Sequence, residues 1–394
     1  MNTLVLSRRP AYPPRNGRQR RVLEECRHFT RYGEVVLATP PSDEDVPLGS
    51  VRQLPLETLF VTSPRSLFQL WNASHLLGSA NGYHRLLSNR VVSAVEGHAP
   101  AVGNDFSDID LVTSDSPQMD TAAARLADRY DATLLLSKHN AAYKLLAEYL
   151  DATPLPAAVR ERAVRSLRRL EQDTIDRADA VVFHSEADAA RFDVPGGTVS
   201  AHVPNGTDYE AIQGGGDPDA LRERFGIPAE RFVSLFIGSY DYFANREAAT
   251  TIVEEFAPAL PDVTFLLVGQ DPPAVDRANV YAPGYVADLP GVLALADIAL
   301  CPLRSGAGTK LKMMDYLAAG LPIVTTELGA SGIDVEDGTS ALVRERSEFV
   351  DAIEHLRDSQ DLRERLAANA LDLGKRYDWS AVLTAYDTLV QKIS

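Results

Sequence analysis

Short apolar runs alternate with longer helical patterns along most of the chain. Ten runs have the length and composition of buried strands: residues 4–7, 35–39, 109–113, 133–137, 180–183, 199–203, 232–237, 263–268, 298–301 and 322–326. Strands that are apolar on both faces are typical of parallel sheets covered by crossover helices. The pattern therefore predicts an α/β protein with two successive βα series, each forming an open parallel sheet.

Six stretches of the chain show helical periodicity. Apolar residues recur at spacings of three and four in six stretches: 18–32, 121–130, 157–177, 347–357, 362–373 and 381–393. The densest group of turn-forming residues, 204–208 and 214–218, lies between the two βα series, and we expect the domain boundary there. The segment 50–105 follows neither the helical nor the strand pattern. Two open sheets of this kind bind ligands at the carboxyl ends of their strands, so a cleft between the domains is expected.

Charge and composition exclude several classes of function. The chain has 394 residues, 45% of them apolar, which is enough for two cores. Its formal net charge of −16 argues against a nucleic-acid partner. Acidic residues outnumber basic ones, 55 to 39, and only six of the basic ones are lysines. This surplus suits a halophilic protein in a salt-rich cytoplasm, and ordinary acidic character is the alternative.

Cysteine, histidine and hydropathy patterns exclude further classes. Cys26 and Cys301 are far apart, so neither a disulfide framework nor a CxxC metal site is expected, and no HExxH motif occurs. The first residues lack the apolar core of a signal peptide, and no run of about 18 apolar residues could span a membrane. The sequence therefore predicts a cytoplasmic protein without a metal site.

The most informative segment is 301–326, CPLRSGAGTKLKMMDYLAAGLPIVTT. An apolar strand leads into a loop with Gly306 and Gly308. Thr309 is predicted to cap the next helix, which carries Lys312 and Asp315 on one face, with Lys310 just before them. Glycines allow close backbone approach, and a helix N-terminus attracts phosphate. The segment predicts one cation for a phosphate beside one carboxylate for a hydroxyl group; a structural loop with a solvated lysine is the alternative.

The pattern GxGTKxKxxDYxAAGxPIVTT, followed by GASGI, resembles the donor-binding segment of the GT-B glycosyltransferases of family 4, the glycosyl transferases group 1. The resemblance covers most of residues 108–393. It rests on further motifs in matching order: VPNGTD at 203–208, FIGSY at 236–240 with Asn245, LVG at 267–269, APGYV at 282–286 with Asp288 and Leu289, and YDW at 377–379.

The resemblance implies a nucleotide-sugar-dependent glycosyltransferase with the GT-B fold, in which two Rossmann-like domains face each other across a cleft. Residues 1–208 would form the acceptor domain and 209–379 the donor domain. A final helix, 380–394, would cross back to the first domain, and its apolar stripe fits that packing. The resemblance also implies retention of anomeric configuration and no metal or other cofactor. The acceptor would be a hydroxyl group or a lipid-linked saccharide.

The resemblance assigns candidate roles by position. Lys312 would stabilise the departing diphosphate, with Lys310 as a second cation, and Asp315 would bind the nucleotide ribose. The donor would also contact residues matching the family's donor-binding motifs: Gly17, Gly238, Asn245, Gly269, Tyr285, Val286, Gly306, Gly308 and Thr309.

Two departures from the family pattern leave alternatives open. Ala307 stands where many members have the first of two glutamates, and the second is Asp315. Ser239 and Ala244 stand near the positions of the usual arginine and lysine that neutralise the diphosphate. The missing residues motivate one alternative, a non-catalytic partner subunit. A second alternative is a nucleotide-sugar 2-epimerase, which has the same fold and also binds a diphosphate between two such domains.

In the first half, two strand ends carry candidates for handling the acceptor. Asp115 follows the strand at 109–113, near the position of a catalytic-site histidine in some relatives, and could orient the acceptor hydroxyl or accept its proton. His139 and Asn140 resemble the family's HN pair at the rim of the cleft. Turn formation by Asp115 and a purely structural role for His139 are the alternatives.

Two surfaces combine basic and aromatic residues. The helix predicted at 157–177 carries a group of arginines, Arg160, Arg162, Arg165, Arg168 and Arg169, and the stretch 66–90 mixes aromatic and aliphatic residues with arginines. Such surfaces suit peripheral contact with the inner face of a membrane or with a lipid-linked acceptor. The alternative is a solvated helix beside a covering pair of helices.

Overall fold

The computed structural model describes residues 1–14, 16–42, 49–56, 74–75, 80–98, 108–151, 153–306 and 309–393. The chain forms two compact units, Met1–Val203 with Leu383–Ser394, and Pro204–Val382. The division at Val203 falls five residues before the boundary expected from the sequence, so the turn-rich linker segments belong to the second unit.

The first unit contains a seven-stranded parallel sheet. Its strands are β1 (Asn2–Leu6), β2 (Val35–Thr39), β3 (Val51–Pro55), β4 (Ile109–Ser114), β5 (Thr133–Lys138), β6 (Ala180–Phe183) and β7 (Val199–His202). The order across the sheet is β3-β2-β1-β4-β5-β6-β7. Six of these strands match the predicted apolar runs. The sequence pattern missed β3, because its residues alternate between buried and exposed and it lies in the segment that fitted no pattern.

Helices connect these strands. They are α1 (Gly17–Phe29), α2 (Ala80–His98), α3 (Pro117–Tyr130), α4 (Ala142–Asp151), α5 (Ala157–Ile175) and the short α6 (Glu186–Ala189). Leu4, Val112 and Leu136 are fully buried in the sheet, and Leu126 and Leu167 pack onto it from α3 and α5. The helix predicted at 121–130 begins earlier, at Pro117, because proline suits the first turn of a helix.

The second unit contains a six-stranded parallel sheet. Its strands are β8 (Phe232–Ile237), β9 (Val263–Val268), β10 (Val280–Gly284), β11 (Ile298–Cys301), β12 (Ile323–Thr325) and β13 (Leu342–Val343), in the order β10-β9-β8-β11-β12-β13. The sequence pattern missed the two edge strands. β10 contains a proline, and β13 is only two residues long.

The helices of the second unit are mostly short. They are α7 (Tyr209–Gln213), α8 (Pro218–Phe225), α9 (Phe243–Thr251, continued by a π-turn at Ile252–Phe256 and by Ala257–Ala259), α10 (Leu289–Leu295), α11 (Leu311–Ala318), α12 (Glu327–Ala330), α13 (Phe349–Asp358), α14 (Gln360–Arg376) and α15 (Trp379–Val382). Met313, Met314, Leu317 and Ala318 of α11 are fully buried.

The final helix, α16 (Thr384–Ile393), belongs to the first unit and packs against β7. Tyr386, Leu389 and Val390 bury the apolar stripe seen in the sequence. The helical pattern predicted from residue 381 is broken between α15 and α16, at the position where the chain passes from one unit to the other.

In both sheets the strand order reverses at one point. In the first sheet this point lies between β1 and β4, and in the second it lies between β8 and β11. Loops leaving the two strands at such a point diverge and leave a crevice at the carboxyl edge, where open α/β sheets bind ligands. The strand order therefore predicts that ligands bind near the segments that follow these strands. The segments are 7–16 and 115–116 in the first unit, and 238–242 and 302–310 in the second.

Within the described part of the chain, no helix combines the length and the apolar character needed to cross a membrane.

Candidate functional site

Lys312 lies at the reversal point of the second sheet. Its Nζ donates a hydrogen bond to Asn245 Oδ1 at 2.7 Å. The same atom lies 3.8 Å from the centre of the ring of Phe236, a residue near the end of strand β8. Asn245, in α9, in turn donates from Nδ2 to the carbonyl of Ser239 at 2.8 Å. The ammonium group is thus held by a hydrogen bond and a cation–π contact, and it is not the solvated lysine of the alternative interpretation.

The environment of Lys312 also changes its acidity. Burial, with a smaller effect of Lys310 and against the opposing effect of Cys301, lowers the pKa of the ammonium group to about 8. No carboxylate forms an ion pair with Lys312 among the described residues. A partly buried cation of this kind can offer its charge to an anionic ligand.

Two glycines let the backbone come close to this ammonium group. A Cβ atom on Gly238 would lie 2.8 Å from the Asn245 amide and 3.1 Å from Lys312 Nζ. Gly269 follows β9 with a φ of +144°, and a Cβ atom there would lie 1.7 Å from the carbonyl oxygen of Gly238. Backbone contact and a positive φ restrict position 269 to glycine, and a side chain at position 238 would displace the Asn245 amide and the Lys312 ammonium group.

The structure corrects the prediction for the start of the lysine-bearing helix. Thr309 does not cap it, because α11 begins at Leu311 and the N-cap position is Lys310, which makes no capping bond through its side chain. Thr309 and Lys310 are both buried. Gly306 precedes them with a φ of +106°, and Gly308 lies outside the described residues. The helix N-terminus is therefore one residue later than predicted, and the first helical residue, Leu311, directly precedes Lys312.

Asp315 lies one turn further along α11 and is buried. Its Oδ1 accepts a hydrogen bond from Thr207 Oγ1 at 2.7 Å. Thr207 is itself fixed by backbone hydrogen bonds with Tyr377 and Trp379. The sequence alone gave no indication that this threonine, 108 residues away, contacts the carboxylate. Two further candidate residues, Tyr285 and Val286, follow β10; the Tyr285 side chain is exposed and Val286 is buried.

Asp115 lies at the reversal point of the first sheet, directly after β4. The carboxyl group is buried, Oδ2 accepts a hydrogen bond from Ser7 Oγ at 3.1 Å, and Oδ1 has no partner among the described residues. Burial raises the pKa of Asp115, while Arg18 and Arg8 oppose the rise. A carboxyl group with a raised pKa and an unsatisfied oxygen is suited to accept a proton.

Arg8 and Arg18 are residues that sequence reasoning missed. The loop after β1 attracted attention only for Gly17, which is the first residue of α1, where Asn16 caps the helix by accepting from the backbone N–H of Gln19. The adjoining Arg8 and Arg18 influence the Asp115 carboxyl group electrostatically. An arginine directly after an apolar strand, at an edge where ligands bind, was the available signal.

His139 follows β5, the strand next to β4. Its ring packs edge-on against His184, with the ring centres 4.4 Å apart, and its Nε2 has no hydrogen-bond partner among the described residues. Burial, with Arg18 and Arg21, holds the pKa of His139 well below its ordinary value. The imidazole is therefore neutral at physiological pH, which suits hydrogen bonding better than proton uptake.

Metal-ligating residues do not cluster in the part of the chain that the structure covers, where no group of three histidine, cysteine or carboxylate side chains could hold an ion.

The arginines of α5 form a partly paired surface. Arg160 binds Asp151, Arg165 binds Glu161, and Arg168 lies over the ring of Tyr143. Most of the aromatic residues of the 66–90 stretch lie outside the described residues.

Comparisons with known proteins show which sequences and folds this chain is similar to. Residues 231–359, which include Gly238, Asn245, Lys312 and Asp315, match the family model described as glycosyl transferases group 1. The alpha-D-kanosaminyltransferase of Streptomyces kanamyceticus is 27% identical over 184 residues, which are 41% of this chain and 45% of that protein. The D-inositol 3-phosphate glycosyltransferase of Corynebacterium kroppenstedtii is 24% identical over 247 residues, 56% of this chain and 52% of that protein.

The chain thus matches about half the length of these curated relatives. The structural similarity covers more of the chain than the sequence similarity does. The structure of Anabaena HepE in complex with UDP and glucose matches 99% of both chains with a TM-score of 0.70 at 15% identity. The comparisons therefore show that residues 231–359 are similar to the glycosyl transferases of group 1, and that the two-sheet fold is that of GT-B glycosyltransferase structures.

Proposed function

We propose that this protein is a glycosyltransferase that moves a sugar from a nucleotide-diphosphate sugar to an acceptor hydroxyl group. The observation that carries the proposal is the position of the Lys312 ammonium group. It lies at the reversal point of the second sheet, held by Asn245 and the Phe236 ring beside Gly238, inside the segment that matches the family.

The donor would bind to the second unit with its diphosphate near Lys312. When the bond between the sugar and the diphosphate breaks, negative charge develops on the leaving oxygen. A preorganised ammonium group and the free N–H groups at the start of α11 stabilise that charge more in the transition state than in the bound donor. Lys312 can do this without the arginine and lysine that the family usually places at Ser239 and Ala244, because Asn245 already orients it.

The remaining roles follow from the same arrangement. The Asp315 carboxylate, which Thr207 orients, is proposed to bind the nucleotide ribose. Asp115 of the first unit is proposed to accept the proton of the acceptor hydroxyl, with His139 as a neutral hydrogen-bonding group. The HepE structure contains UDP and glucose, which makes UDP-sugars the first donors to test. Retention of configuration at the anomeric carbon is the stereochemistry expected from the resemblance.

The test is incubation of the purified protein with a panel of nucleotide sugars and alcohol, saccharide and lipid-linked acceptors. We expect release of nucleoside diphosphate that depends on the acceptor, and NMR of the product should show the donor's anomeric configuration. Conversion of the donor to its 2-epimer without an acceptor would favour the epimerase alternative. Donor binding without any turnover would favour a non-catalytic partner subunit.

The activity is expected to fall as the pH rises through about 8. Burial lowers the pKa of Lys312 to about 8 in the free protein, so raising the pH removes its positive charge within a range where an exposed lysine stays protonated. The measurement is kcat/KM between pH 6 and 10, which reports the free enzyme. Lys312→Arg is the matched variant, because whatever activity it retains should not decline in this range. A profile that stays level to pH 9.5 would contradict the role of Lys312.

Activity is expected to survive chelation by EDTA. In the proposed mechanism the diphosphate charge is met by an ammonium group and a helix N-terminus, and the described residues offer no cluster of metal ligands. The rate should be measured after dialysis against EDTA and again after Mg²⁺ or Mn²⁺ is added. Loss of the rate on chelation, followed by recovery with either ion, would contradict this mechanism.

A further inference from the structure

The loop after β1 holds a cluster of arginines whose charge the described residues do not satisfy. Arg8 is 9% exposed, and its Nε and Nη1 atoms are buried without a hydrogen-bond partner in the described part of the chain. The Nε atom of the adjacent Arg9 is also buried without a hydrogen-bond partner among the described residues. A buried guanidinium group without partners is costly, and proteins retain one mainly where something else binds to it.

The charges around Arg8 do not balance. Arg9 and Arg18 are close enough to lower its pKa, which burial and these two cations bring to about 9. Asp115 opposes them at both Arg8 and Arg18, and Asp120, which also raises the pKa of Arg18, is already paired with Lys138. The described residues form no ion pair within 4.0 Å between Asp115 and these arginines. Among the described residues, three arginines therefore face one carboxyl group that is not paired with another cation, which leaves an excess of two positive charges.

The cluster is preformed, because hydrogen bonds fix the loop that carries it. The carbonyl of Arg9 accepts from Ser7 Oγ at 2.9 Å and from Thr39 Oγ1 at 2.8 Å. The carbonyl of Pro10 accepts from Gln19 Nε2 at 2.6 Å, which ties the loop to α1. A ligand would not have to pay for ordering the loop, which favours binding.

The cluster also lies at the reversal point of the first sheet. Arg8 comes two residues after the end of β1, and Asp115 comes directly after β4. The hydroxyl group of Ser116, at the start of α3, is buried without a partner among the described residues, so it can donate to a ligand at the same edge. Crevices of this kind are where open α/β sheets bind small molecules.

We propose that Arg8, Arg9 and Arg18 form an anion subsite that binds a phosphate monoester carried by the acceptor. Two uncompensated positive charges match a dianion better than the single charge of a carboxylate. Guanidinium groups bind several phosphate oxygens at once with charge-assisted hydrogen bonds. The identification of the phosphate monoester as part of the acceptor rests on the proposed function, whereas the anion subsite itself does not. Asp115 next to the subsite would then face a hydroxyl group of the phosphorylated molecule.

Calorimetric titration tests the subsite without requiring turnover. Inorganic phosphate, glucose 6-phosphate and glucose are titrated into the full chain at constant ionic strength. We expect both phosphates to bind and glucose to bind at least 10-fold more weakly. Arg8→Gln and Arg9→Gln should each weaken phosphate binding by about 10-fold or more. Arg129→Gln is the matched control, because Arg129 is an exposed arginine in the last turn of α3, and it should leave the affinity unchanged.

Titration with UDP distinguishes the acceptor phosphate from the donor diphosphate. We expect Arg8→Gln to leave the affinity for UDP unchanged and Lys312→Ala to weaken it. If Arg8→Gln weakened UDP and phosphate equally, the cluster would serve the donor and the proposal would be wrong. Equal phosphate binding by the wild type and all arginine variants would show an adventitious ion only and would also overturn it. If Arg8→Gln fails to fold, as judged by circular dichroism, the Arg9→Gln titration decides.

Discussion

Replacing Lys312 by alanine is expected to lower kcat by about 10² or more while the fold stays intact. A preorganised charge that meets the developing negative charge of a leaving group is typically worth about 3 kcal/mol. Nothing else in the described part of the second unit places a cation against both Asn245 and the Phe236 ring. The missing charge should slow bond cleavage more than it weakens donor binding, because the charge on the leaving oxygen is largest in the transition state.

The measurement is kcat and KM for the donor found in the panel, together with a thermal unfolding midpoint for each variant. Lys375→Ala is the matched control, because Lys375 is exposed near the end of α14 and should behave like the wild type. Asn245→Ala should give an intermediate loss, because it leaves the ammonium group in place but removes the hydrogen bond that orients it. A Lys312→Ala variant with full activity would move the role to Lys310 or to an arginine.

The two sheets could be predicted from the sequence because both are parallel and buried on both faces. The ten predicted apolar runs correspond to ten of the thirteen strands. Each of the three missed strands lies at the edge of a sheet, where burial is partial or the strand is very short. The helices were harder to delimit. The break between α15 and α16 is set by the passage between units, which no local pattern records.

The candidate site was only partly predictable. Lys312 stood out because of its position in a glycine-containing loop followed by a helix, but its partner Asn245 is 67 residues away and their contact depends on the packing of α9 and α11. Thr309 was mistaken for the cap because threonine is a common N-cap residue, whereas the observed helix starts without a side-chain cap. Arg8 was overlooked because arginine is rarely buried, so nothing in the sequence suggested that its side chain is enclosed.

Ending the chain at Val382 is expected to unfold the first unit, although it removes no residue proposed to bind the donor. The deletion exposes the surface of α1 and β7 that α16 covers, and Tyr386, Leu389 and Val390 leave a buried environment. Burying such side chains is worth about 1.5–3 kcal/mol each, so the loss is comparable to the whole stability of an ordinary domain, about 5–15 kcal/mol.

Electrostatics adds to this loss. The Tyr386 hydroxyl donates to Glu25 Oε1 at 2.7 Å, and Glu25 is in turn bound to the fully buried Arg21 at 2.7 Å, which donates to the carbonyl of Val203 at 3.1 Å. Without α16 the carboxylate would lose a partner in the protein interior, where an unsatisfied charged group costs more than the hydrogen bond itself was worth. The helix therefore completes a polar network as well as an apolar surface.

Point variants make the expectation measurable where the deletion simply aggregates. Leu389→Ala should lower the free energy of unfolding by about 2–5 kcal/mol, as other buried leucines do. Tyr386→Phe should cost about 1–3 kcal/mol, because it keeps the packing and removes only the hydroxyl group. Lys392→Ala, on the exposed side of the same helix, should stay within about 0.5 kcal/mol. Urea unfolding and limited proteolysis of the first unit are the measurements. A chain ending at Val382 that stays soluble, protease-resistant and fully active would show that α16 is dispensable, and the three point variants would then be indistinguishable from the wild type.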